Sequence, residues 1–291
     1  MTPTMDIHDA DSIRDLIETF MTESPENRLG ATHPEPVFDK PLVGFSNGMD
    51  SLYEEYVRHI GDFYLTPLEI FQKGCPGQNT ISGEDLTVIS WILPSTTATR
   101  SEQAASTRRP SERWCRTRHF GEKCNDALRR HLVTRLEKAG IPAVAPMLSE
   151  FWSRSDLGPY APCSNWSERH AAYAAGLGTF GLCDGLITPV GKAMRAGSVV
   201  AKLTVAPSQR PFTDHHAYCL FFSHGNCGKC IDRCPVQALS REGHDKWRCM
   251  KYTHGMKAYM RRKYGFETSA CGLCQVEVPC MAHIPDPKEG D

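Results

Sequence analysis

Eight cysteines within 62 residues constrain this chain more than any other feature of it. Cys219, Cys227, Cys230, Cys234, Cys249, Cys271, Cys274 and Cys280 fall together, while Cys75, Cys115, Cys124, Cys163 and Cys183 are scattered over the first two thirds. The total of 13 is odd, and no basic segment leads into an apolar one near Met1, so a secreted disulfide scaffold is not expected. Nor is the local spacing that of a random set of buried small hydrophobes. In Cys227-Gly-Lys-Cys230-Ile-Asp-Arg-Cys234-Pro235, the first two thiols can reach one metal centre from a tight turn. Bacterial ferredoxins use C-x2-C-x2-C-x3-C-P, whose fourth cysteine ligates the other cluster. The last three of those positions are met here, and the first falls on His224. In the second half, Val278 stands where the pattern places a cysteine, and Cys280 follows two residues on. The totals still divide into two four-ligand sites. One takes Cys234, Cys249, Cys271 and Cys274; the other takes Cys227, Cys230, Cys280 and either Cys219 or His224. Cys219 is favoured because it keeps the ligation all-thiolate. The expectation is two [4Fe-4S] clusters passing single electrons, with structural zinc as the main rival.

The rest of the chain is ordinary for a folded protein with a sizeable core: 291 residues, 40% hydrophobic and 23% charged. No run of 18 apolar residues argues for a membrane span. A net charge of -1 gives nucleic-acid binding no support from bulk charge. Free thiols without a secretory leader point to the cytoplasm.

Several elements can be read in advance. Residues 1–40 form an acidic extension with a short helix near Ile13 to Met21, loosely attached. Asp50 caps a helix carrying Tyr53, Tyr56 and Val57 on one face. Thr66-Pro67-Leu68-Glu69 is a capping box with Pro at the first helical position. Leu86 to Leu93 reads as a buried strand, and Ile141 to Ala145 as a second. Residues 94–123 read as irregular and basic, followed by a helix from Asn125 to Lys138. Residues 149–165 form a long loop. Ser167 caps a short Ala-rich helix, and Leu182 to Ile187 and Ser198 to Val205 are strand candidates. This is α/β material in which a doubly wound sheet is not established. The expected division is an extension (1–40), an α/β core (41–212) and an iron–sulfur module (213–291).

Gly176-Leu-Gly178-Thr-Phe-Gly181 matches G-x-G-x-x-G, but a helix rather than a strand enters it, so a dinucleotide fingerprint is not expected. The glycines serve instead for turns or for close backbone approach to a flat ligand. From Glu168-Arg-His-Ala-Ala-Tyr through these glycines, Leu186-Ile-Thr-Pro-Val-Gly191 and the cysteine run, residues about 140 to 285 resemble the epoxyqueuosine reductase and reductive dehalogenase superfamily. The resemblance implies a nitroreductase-like α/β (α+β) corrinoid-binding core followed by a ferredoxin-like module with two [4Fe-4S] clusters. It implies that the clusters reduce a bound cobalamin, which then reduces a small substrate. Gly176, Gly178, Gly181, Thr188 and Gly191 would lie near the corrin.

The chain departs from the family in its proton donor. Counting back from Glu168, the donor position falls on Pro162. Asp156 and Tyr160 are the substitutes expected to do the acid's work. Only eleven residues follow Cys280, which sets tRNA aside as a partner in favour of a small molecule, with a ferredoxin- or flavodoxin-type electron donor. Arg108, Arg109, Arg113, Arg116 and Arg118 crowd around Trp114 and suit phosphate or carboxylate groups, or form a solvated face. The alternatives are a corrinoid-free reductase of the same fold and an electron-transfer partner protein. Oligomeric state is left open.

Overall fold

A computed structural model describes Ile7, residues 9–78 and residues 80–290 of the chain. In chain order, α1 is Ala10–Glu23, β1 Leu42–Asn47, α2 Ser51–Ile60, α3 Pro67–Gly74, β2 Thr87–Pro94, α4 Thr97–Ala104 and α5 Glu112–Lys138. Then come β3 (Ala143–Val144), β4 (Arg154–Ser155), β5 (Cys163–Ser164), α6 (Glu168–Ala174), β6 (Thr179–Phe180), β7 (Leu186–Ile187) and β8 (Met194–Ala201). The remainder is α7 (Leu220–Ser223), α8 (Lys229–Asp232), β9 (Leu239–Ser240), β10 (Gly243–His244), α9 (Lys246–Gly255) and α10 (Lys257–Tyr264), with short 3-10 turns.

The centre is a four-stranded sheet in the order β1-β2-β8-β3. Every pairing in it is antiparallel, so it is not a doubly wound parallel sheet. All eight residues of β2 are buried, which is why it reads as a continuous apolar run. Side chains alternate across a strand. Ile89, Trp91 and Leu93 therefore pack with Val199 and Ala201 against α1 and α5. Val88 and Ile92 pack with Val200 on the other face, against α2, α3 and α6. Gly197 lies opposite Trp91 in the register, and a Cβ there would meet the indole at 2.4 Å. Only glycine lets the ring lie across β8.

The local signals predict much of this. Thr66 and Glu69 form the reciprocal capping box, with Pro67 opening α3. Asp50 accepts from the Leu52 N–H and opens α2. The long helix was only half visible: it begins at Glu112, not at Asn125. Ser111 caps it, and Arg116–Glu112 and Arg118–Glu122 pairs of 2.7 Å run along its first half. The buried face of that half, Trp114, Thr117, Gly121 and Cys124, is mostly small or polar, so an apolar period alone misses it. The strand expected at Ser198 to Val205 lies earlier, at Met194–Ala201, and Leu182 to Ile187 contributes only two strand residues. Ser167 makes no capping bond; its hydroxyl meets His170 Nδ1 at 2.8 Å. The N-terminal helix is not loosely held either: Ile13, Leu16, Ile17 and Met21 are buried in the main core.

The cysteine-rich segment differs from the expected two-cluster ferredoxin-like module. Among the described residues, no group of three or more His, Cys, Asp or Glu side chains is placed where it could hold a metal ion. The physical reason is that C-x2-C spacing fixes nearness along the chain but not the direction of each sulfur. Among the eight cysteines, Cys234 Sγ accepts from the Ala238 N–H at 3.1 Å. The two [4Fe-4S] sites, the relay of electrons through them, and the iron–sulfur and metal-binding character expected from spacing are corrected accordingly.

Candidate functional site

A cleft of about 520 Å³ opens where the start of β8, the first turn of α6 and the middle of α5 meet the cysteine-rich segment. Helix α5 supplies Glu122 and Arg129, α6 supplies Glu168 and Arg169, and β8 supplies Met194, Arg195 and Ala196. Across from them stand His244, Lys246, Cys249 and Thr253. The volume lies within the ~300–1,000 Å³ range of small-molecule sites.

The floor is a closed polar network. Arg129 is 1% exposed and donates to Glu168 Oε1 at 3.2 and 3.0 Å, to Asp126 at 2.7 Å and to the Ala196 carbonyl at 3.3 Å. Glu168 Oε2 accepts from the Ser198 hydroxyl, which in turn accepts from Trp166 Nε1 at 3.0 Å. Burial pushes the Glu168 carboxyl above its usual range, and Arg129 only partly offsets it. That direction follows because Arg129 shares its charge among Glu168, Glu122 and Asp126. Glu122 moves the other way: burial raises it, but Arg195, Arg118 and Arg129 together hold it low. On the opposite wall His244 Nδ1 lies 2.9 Å from Asp184. Burial opposes its charge, but Asp184 and Cys249 outweigh that and push it up to about 10.

The residues singled out from sequence divide sharply. Cys219, Cys227, Cys230 and Cys280 line one small cavity; Cys234, Cys249, Cys271 and Cys274 line a second, together with Cys183. His224 is exposed, with its ring at 2.8 Å from the Ser223 hydroxyl. Tyr160 and Asp156 are exposed on the loop beside the cleft, and the Tyr160 carbonyl accepts from Lys246 Nζ at 2.8 Å. Of the basic cluster, Arg113, Arg116 and Arg118 belong to α5, whereas Arg108 and Arg109 lie in the turn before it.

The glycines do not form a cradle for a flat macrocycle. A Cβ on Gly176 would meet the Gln209 carbonyl at 2.2 Å, on Gly178 the Ile187 carbonyl at 2.2 Å, and on Gly191 the Met281 carbonyl at 2.2 Å. Gly181 packs near the Ile187 side chain, and the Thr188 hydroxyl donates to the Gly191 carbonyl at 2.7 Å. The space a corrin would need at these positions is filled by the chain's own backbone. The corrinoid expectation is corrected on that ground, and no chemistry is drawn through it. Nothing local in the sequence marks Arg129, Arg195 or Ser198, and Glu168 is marked only by the run that it opens.

The arrangement belongs to a known class of fold. A reductive dehalogenase described in connection with B12-dependent dehalogenation matches 86% of this chain and 31% of its own, with 16% identity and a TM-score of 0.52. A catabolic reductive dehalogenase in complex with 3-bromo-4-hydroxybenzoic acid matches 94% of this chain and 37% of its own, with 15% identity and a TM-score of 0.52. At such identities the likeness concerns the fold alone. In sequence, the epoxyqueuosine reductases of Bacillus anthracis and Staphylococcus aureus are each 31% identical over 119 residues, covering 39% of this chain and 29% of theirs. Over about two fifths of its length the chain is thus similar in sequence to epoxyqueuosine reductases, and in fold it is similar to reductive dehalogenases. It spans less than a third of the length of those curated relatives. No family model matches it.

The exclusion of tRNA drawn from the sequence is withdrawn. The similar solved structures include an epoxyqueuosine reductase with an epoxyqueuosine-modified tRNA-Tyr stem loop, at 18% identity and a TM-score of 0.42. That likeness is too distant to assign tRNA to this chain. Among the described residues, no helix is long and apolar enough to cross a membrane.

Proposed function

We propose that the chain is a corrinoid-free reductase of this superfamily fold, acting on a small organic substrate in the 520 Å³ cleft. The observation that carries the reading is Glu168, a carboxyl sealed at 12% exposure on the cleft wall and held toward its protonated form. A two-electron reduction takes two electrons from an external reductant and protons from the protein or solvent: one where hydrogen replaces a departing halide, two where an epoxide oxygen leaves as water. A carboxyl with a raised pKa and a fixed orientation is suited to supply one of those protons. Ser198 and Arg129 orient it, since each holds one of its oxygens. Tyr160 and Asp156, on the bordering loop, are the solvent-side donors in this reading. Residues 41–212 carry the cleft, residues 213–291 close it, and the free thiols suit a cytoplasmic setting.

The test is an anaerobic assay of the purified chain with reduced methyl viologen and a panel of halogenated and epoxide-bearing aromatics. Viologen oxidation matched by substrate loss, and cut at least tenfold in Glu168→Gln, is the expected result. Oxidation no faster than the protein-free blank with every compound would reject the reading.

A further inference from the structure

Arg195 is the anomaly of the cleft. It enters from the second position of β8, its side chain is 26% exposed, and its Nε is sealed from solvent without a hydrogen-bond partner. Its nearest carboxylate oxygen is Glu122 Oε2, 4.0 Å from Nε. That oxygen already accepts from Arg118 at 2.7 Å, and the other oxygen of Glu122 faces Arg129 at 3.7 Å. Glu122 is therefore shared among three guanidinium groups. Arg169 donates to the Asp184 carbonyl, and the Asp184 carboxylate near it is shared with His244 and Lys246. Both arginines line the cleft and the second cavity behind it, so they stand where the two spaces join.

A guanidinium group presents five donors in a planar fork that matches the geometry of a carboxylate or phosphate. A buried donor left unpaired costs free energy, and a cation crowded by other cations costs more. Burial, followed by the repulsion of Arg118, pushes the Arg195 pKa down to about 9, with Arg169 adding to the effect. The acid nearest to Arg195, Glu122, is thus divided among three guanidinium groups.

We propose that Arg195 and Arg169 form a fork for an oxyanion carried by the substrate, a carboxylate or a phosphate, at the inner end of the cleft. The bound anion would satisfy the orphaned Arg195 Nε and replace the share of Glu122 that Arg195 lacks. The uncharged, reducible part of the substrate would then extend along the cleft toward Glu168. This rests on the reductase reading for the identity of the ligand as a substrate, but not for the binding itself.

Binding can be measured without any reductant. The full chain is titrated with sodium benzoate and, separately, with inorganic phosphate, by calorimetry and by thermal shift. One or both should bind and raise the melting temperature. Arg195→Gln should weaken binding at least tenfold, and Arg169→Gln severalfold. Benzoate binding more tightly assigns a carboxylate substrate; phosphate binding more tightly assigns a phosphate ester. Near-UV circular dichroism checks that Arg195→Gln is folded. Should it not be, Arg169→Gln, at the outer edge of the fork, decides alone. Failure of both anions to bind, or binding undiminished in the folded variants, overturns the fork. Anion binding without any reductase activity would keep the fork and reject the proposed function; activity on neutral substrates without anion binding would do the reverse.

Discussion

The sheet and the cysteine-rich segment are built on different physical terms. Around the sheet, two large apolar clusters are buried on either face of β2 and β8, and the polar groups between them are nearly all paired. Beyond Leu220 the elements are short: α7 and α8 have four residues each, β9 and β10 two each, and α9 buries none of its side chains. What holds this segment is borrowed. Its two small clusters include Leu182, Cys183, Ile187, Trp114, Cys115 and Ala193, all supplied by the earlier part of the chain. A segment with so little core of its own is ordered by the surface it docks on. The cleft lies where the independently packed body meets the dependent one.

The largest effect that would test this contrast is in the sheet. Trp91 is fully buried, and its Nε1 donates to Asn125 at 2.8 Å. Trp91→Ala should cost about 3–5 kcal/mol in urea unfolding. A loss below about 1 kcal/mol would show that the centre is not packed as described.

Arg129→Met comes next, because it removes the buried cation that Glu168, Asp126 and Glu122 share, a loss of about 3–5 kcal/mol. Glu168→Gln added to it should recover part of that loss. Equal instability of the single and double variants would contradict the pairing.

Gly272→Ala tests the dependent region. Gly272 has φ +67 and faces the Trp114 ring, which a Cβ would meet at 2.2 Å. Hydrogen exchange should rise across residues 220–280 while β2 and β8 stay protected. Uniform loosening of both regions would mean that they are one cooperative unit.

The smallest effect is in pH dependence. The folded pKa of Glu168 is raised, so its contribution to stability is present below the ordinary value of 4.5 and is lost as pH rises through the folded value. Glu122 has a lowered pKa and contributes in the opposite sense, losing its stabilisation as pH falls below 4.5. Between pH 5 and 8, Glu168→Gln should therefore lose less stability than the parent chain. Parallel curves for the two proteins would remove the raised carboxyl from the argument.

Local chemistry was legible wherever one residue decides an element. Thr66, Pro67 and Glu69 start α3 by hydrogen bonds within one turn, and β2 announces itself because both its faces are apolar. The first half of α5 is illegible because its buried face, Trp114, Thr117, Gly121 and Cys124, is mostly small or polar, while Arg116 and Arg118 pair with acids beside it. The candidate site was legible only in fragments. Glu168 lies in a recognisable run, yet its partners Arg129 and Ser198 are 39 and 30 residues away.

The order of residues alone determined the helix caps, the buried central strand, the grouping of eight cysteines and the partial likeness to epoxyqueuosine reductases, because each depends on neighbours along the chain. Tertiary structure decided what the Cys234 sulfur meets, what fills the space beside Gly176, Gly178 and Gly191, and that Arg195 shares Glu122 with two other arginines. Those are matters of direction and shared partners in three dimensions, and spacing along a chain carries no record of either.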